Sequence, residues 1–159
     1  MSVRSKRMTL LLVMLGITAV LLAADDPFVG IWKLNIAKSH YNPGPLPKSS
    51  SNTYEPVPGG GLKLTVTTVT ADGKLSTIER VEHYDGKPHP VQQERSGADA
   101  VATKRIDRNT IEVVNYRNGK ILSSLTRRIS KDGKTMTSEA KGTSPQGQPF
   151  EEFRFFDKQ

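Results

Sequence analysis

The chain has 159 residues, a length that favours one domain, and no cysteine, so no disulfide can hold it together. Its formal charge is +7, but Arg4, Lys6 and Arg7 supply three of those charges; the rest carries 20 basic against 16 acidic residues, an excess of only +4. The basic residues are scattered, the densest cluster being 128–134, so a nucleic-acid partner is not expected.

Residues 1–24 have the three-part layout of a secretory signal peptide: a basic start, an apolar run, and the small pair Ala23-Ala24 before Asp25-Asp26. The apolar run, about 15 residues, is shorter than the roughly 20 needed to span a bilayer. Cleavage after Ala24 would leave one domain, 25–159, exported to the periplasm or beyond and free of the membrane. Leu22 is large for its place before that site, and the alternative is an uncleaved membrane anchor. No cysteine follows the run, which excludes a lipoprotein anchor.

Hairpin signals dominate the rest. Asp72-Gly73, Asp85-Gly86, Asn118-Gly119 and Asp132-Gly133 are each followed by lysine and suit tight turns with positive φ. Strands are predicted over 29–35, 50–55, 62–70, 74–84, 91–94, 100–106, 110–117, 120–130, 135–141 and 150–157. Thr, Val and Ile recur in them, as strands favour. One helical turn is possible over 36–41, before Pro43, Pro45 and Pro47 stop it.

Alternation assigns faces: Leu62, Leu64 and Val66 on one side, Ile121, Leu125 and Ile129 together, Met136, Ser138 and Ala140 together. Strand 74–84 mixes apolar and charged residues on both faces. In the last strand Phe150 and Phe156 share one face and Phe153 and Phe155 the other. The expected fold is an all-β, antiparallel up-and-down meander closed into an 8–10-stranded barrel, which removes sheet edges. A two-sheet sandwich is the alternative, but it usually needs longer crossing connections.

The only tryptophan, Trp32, falls in the first strand on the face of Phe28, Gly30 and Leu34. Gly30 leaves room for the indole, which would close one end of the barrel. Gly30-Ile31-Trp32 resembles the G-x-W signature of lipocalins, and the run 28–34, FVGIWKL, is similar to the opening of intracellular fatty-acid-binding proteins. Arg154-Phe155-Phe156-Asp157-Lys158 resembles the Arg-x-Tyr-Glu-Lys end of their last strand. The stretch from Gly30 through the prolines also looks like a group of short exported bacterial proteins. The resemblance implies a calycin-like barrel holding an apolar or amphipathic small molecule, without a cofactor. It implies that Arg154 helps hold a ligand carboxylate, while Phe156 stands where the family has tyrosine and lacks its hydroxyl. A two-helix lid has no room here: about 14 proline-rich residues stand in its place.

Arg154 shares its face with Glu152, Phe150 and Phe156, so an interior position demands a partner. That partner is a ligand anion, Glu152 or another acid, or the face of Trp32. Arg127 alternates with Leu125 and Ile129 and faces the same choice between ligand contact and structural ion pair. His83, Asp85 and His89 lie close in sequence, but a turn and two prolines separate them, so a metal site is not expected. No nucleophile–base pair or phosphate loop stands out, and catalysis is not expected. Ligand binding is the first reading. A filled barrel serving protein interaction is the second, and a cavity of several hundred Å3 would separate them.

Overall fold

The computed structural model describes residues 26–92 and 96–159; the predicted signal segment 1–24 and part of the strand expected at 91–94 lie outside them. Eleven strands form: β1 Gly30–Leu34, β2 His40–Asn42, β3 Ser49–Pro56, β4 Leu62–Val69, β5 Leu75–Glu82, β6 Asp85–Pro90, β7 Ala100–Asp107, β8 Thr110–Arg117, β9 Lys120–Ile129, β10 Thr135–Thr143 and β11 Pro149–Lys158. They make one antiparallel sheet in the order β5-β4-β3-β1-β11-β10-β9-β8-β7-β6, with β2 beside β11. The meander is therefore as expected, and no second sheet exists among the described residues. The count exceeds the expected 8–10 because β2 and β6 arise where no strand was predicted.

The two ends of this ladder, β5 and β6, are consecutive in sequence and joined only by His83 and Tyr84. Three Cα–Cα steps of about 3.8 Å cannot separate Glu82 from Asp85 by more than about 11 Å. The sheet must therefore curl until its edges meet at that link. Strands β5 and β6 are not hydrogen-bonded to each other, and side chains cross between the two sides of the sheet near the link, at Glu82. Asp85-Gly86 is accordingly not a hairpin turn. It opens β6, and the reversal comes at Tyr84, whose φ is +61°.

Strand β6 runs through Pro88 and Pro90, earlier than the segment predicted at 91–94. Proline is tolerated because β6 is an edge, needing backbone donors on one side only. Strand β2 extends the line of β1. Strand β1 pairs with β11 at Phe156–Lys158 and β2 pairs with it at Glu151–Phe153. Between them Ile36–Lys38 makes a short 3-10 turn, in place of the helical turn expected over 36–41. Ser39 Oγ accepts from Phe155 N at 2.9 Å and bridges the gap. This segment covers the outer phenylalanines of β11: His40 stacks on Phe153 at 5.5 Å, and Lys38 Nζ lies 4.5 Å from the Phe155 ring.

Asn118-Gly119 has positive φ at both residues, as its dipeptide predicts. At Asp72-Gly73 and Asp132-Gly133 only the glycine is positive. The first turn, of five residues, is closed by Thr70 N–H to Lys74 O, and the second, of six, by Ser130 N–H to Thr135 O, both 2.9 Å. Asp132 Oδ1 caps its turn, accepting from Ser130 Oγ at 2.6 Å.

The core gathers at one end. Phe28, Trp32, Tyr54, Leu64, Met136 and Phe156 are buried there, and Trp32 Nε1 donates to Phe28 O at 2.8 Å. Ile121 departs from expectation: it shares parity with buried Ile129 but is 68% exposed, because β9 begins beyond a bulge at the opposite rim.

Candidate functional site: a half-filled barrel

Strand alternation sends one side-chain row of each strand inward, and residue size falls along these rows. On β10 the row reads Met136, Ser138, Ala140, and on β3 it reads Tyr54, Asn52, Ser50 toward the same end. Large residues fill the end near Trp32. Small ones leave a cavity of about 520 Å3 in the other half, lined by Val66, Ile78, Leu125, Ala140, Phe150 and Phe156 among its apolar groups. Asn52, Asn115, Ser123, Ser138, Arg127 and Arg154 supply polar ones, and the prolines 45 and 47 with Tyr41 stand at its edge.

Register aligns the two arginines. Ser138 on β10 faces Arg127 on β9 and Arg154 on β11, so all three share one cross-strand row on the inner face. Phe156 lies one inward step from Arg154, buried against the core. Arg127 donates from Nη1 to Tyr54 Oη at 2.8 Å and to Glu82 Oε1 at 3.3 Å. Glu82 is fully buried below the cavity. It also accepts from Arg80 Nη2 at 3.0 Å and from Thr103 Oγ1. This one carboxylate ties β5, β7 and β9 together, and Arg127 carries the link on to Tyr54 of β3. Burial pushes the Glu82 carboxyl up, but Arg80, Arg127 and the Thr103 hydrogen bond outweigh it and hold the group below the ordinary glutamate range.

Arg154 Nη2 pairs with Glu152 Oε1 at 2.6 Å, and both side chains line the cavity. It does not stack on Trp32. Lys158 does, its Nζ 4.9 Å from the indole. Its stem fills the space beside Gly30, where a Cβ would meet Lys158 Cε at 3.0 Å. Gly30 therefore makes room for a lysine stem over the indole, and its φ of +126° disfavours any other residue. Arg127 Nε and Arg154 Nε are buried without hydrogen-bond partners, as is Tyr84 Oη. The Tyr84 ring sits 4.1 Å from the Arg105 guanidinium, and burial pushes its phenol far above the ordinary range.

The histidines of the β5–β6 link do meet. His83 and His89 stack at 3.9 Å, and Asp85 lies 3.0 Å from His89 Nε2. No group of three or more metal-ligating side chains forms among the described residues. Tyr54, Asn52 and Glu82 were not singled out as site residues from sequence. Parity could have found them: Ile78, Arg80 and Glu82 occupy one face of β5, while the exposed Leu75, Glu79 and Val81 occupy the other.

No family model matches the chain, and no curated protein matches it in sequence. Solved structures do match in shape. The chain is similar to the fluorescent protein UnaG, with 15% identity, TM-score 0.54, and 83% of this chain and 97% of UnaG covered. It is similar to As-p18, an extracellular fatty acid binding protein, with 12% identity, TM-score 0.55, and 84% and 97% covered. Rv2717c from M. tuberculosis aligns with 17% identity, TM-score 0.52, and 88% and 97% covered. At such identities the likeness is one of fold: a strongly curled antiparallel β-meander, as the turns and strand alternation predict.

Proposed function

We propose that this protein is an exported, non-catalytic binder of a small amphipathic molecule, held inside the barrel. The observation that carries the reading is the 520 Å3 cavity, lined by apolar side chains and by Arg127 and Arg154. That volume is in the range of small-molecule sites, and its mix of apolar wall and few convergent polar groups suits an oriented ligand. The polar head group would accept from Arg127 and Arg154, and the apolar body would lie against Phe156, Phe150 and Leu125. The fold shared with an extracellular fatty acid binding protein supports the class of ligand by analogy alone. Export rests on the signal-like residues 1–24.

The test is native mass spectrometry of the protein purified gently from its own host, followed by denaturation and identification of what is released. A stoichiometric amphipathic small molecule is the expected result. A clean unliganded mass, together with no uptake of added lipid, would favour a protein-interaction module instead.

A further inference from the structure

We infer that Glu152 is a specificity-determining residue, a built-in competitor that weakens the hold of the cavity on anionic head groups and leaves it open to neutral ones; this rests on the binding reading above. The two arginines of the shared row differ in where their counter-ions lie. The carboxylate partner of Arg127 is Glu82, fully buried below the cavity. Arg154 instead pairs along its own strand with Glu152, two residues away on the same inward face, and Glu152 itself lines the cavity. Glu152 thus occupies, at 2.6 Å, the position on Arg154 that a ligand carboxylate would seek.

An anion reaching Arg154 must displace that carboxylate or settle beside it as a like charge. A neutral acceptor such as an ester or hydroxyl has neither difficulty. It can accept from a guanidinium N–H of Arg154 that Glu152 does not take, while the ion pair stays intact. Phe156 adds no hydroxyl to tip the balance toward an anion. Discrimination by an unfavourable contact is a common route to specificity.

The experiment compares a fluorescent acid, 11-(dansylamino)undecanoic acid, with its methyl ester, on wild type and on Glu152→Gln. Wild type is expected to bind the ester at least as tightly as the acid. The substitution is expected to tighten the acid about tenfold, the scale of one hydrogen bond to a charged group, and to leave the ester unchanged. Ester binding also reports that the variant is folded. A wild type that prefers the acid about tenfold, or a substitution that moves both probes together or neither, overturns the inference while leaving the binding reading in place. Failure of both proteins to take up either probe removes both.

Discussion

The two ends of the barrel are built from the same alternating strands yet differ in what they bury. Around Trp32 the inward rows hold Tyr54, Leu64, Met136 and Phe156, and packing is complete. Toward the turns at 70–74, 118–119 and 144–148 the inward rows reach Asn115, Ser123 and Ala140, which line the cavity. One end therefore carries stability and the other is free to carry a ligand. Between them lies the layer of Arg127, Glu82, Arg80 and Thr103, which is polar but buried. Its charges are tolerable only because they are paired and hydrogen-bonded.

The sharpest way to break this contrast is Trp32→Ala. It removes the largest buried side chain and its bond to Phe28, and should cost about 3–5 kcal/mol in urea unfolding. An unchanged unfolding midpoint would mean the indole is not core.

Glu82→Gln comes next, at about 3 kcal/mol, because it leaves buried guanidinium groups without their carboxylate. The same residue sets an acid limb. Its folded-state pKa lies below the unfolded one, so its stabilisation is complete above the ordinary glutamate range, about 4.3, and is lost as pH falls through the depressed value. Unfolding measured from pH 6 down to pH 2 should show that loss in wild type, and the Gln variant should lack this component. Parallel acid profiles for the two proteins would contradict the assignment.

Ser138→Leu tests the other half. Its side chain faces the cavity between the two arginines, so stability should change by no more than about 1 kcal/mol while probe uptake falls. A large loss of stability with uptake retained would show that the space there is already filled. The smallest effect has the opposite sign. Tyr84→Phe removes a buried hydroxyl that has no partner, and should be neutral or stabilising by up to about 1 kcal/mol in the same assay.

Much of this contrast is legible along single strands. The fall from Met136 to Ala140, or from Ile129 through Leu125 to Ser123, can be read directly once the inward parity is known. The pairing of Arg154 with Glu152 was open to sequence for the same reason, since both lie on one strand two residues apart. What could not be read was the company of Arg127. Tyr54 and Glu82 are 73 and 45 residues from it in sequence, and only the curl of the sheet brings them together. The prolines of β6 misled for a related reason. Whether proline is tolerated depends on whether a strand is an edge, and no local pattern records that.

By itself the sequence determined the alternation, most of the turns, the antiparallel meander and the place of Trp32 in the first strand, because these follow from local backbone preference and side-chain period. The tertiary structure decided where the ladder ends, how its two edges are fastened by Glu82, that Lys158 and not Arg154 covers the indole, and that half the interior stays open. Those depend on contacts between residues far apart in the chain, whose geometry is fixed only when the sheet curls.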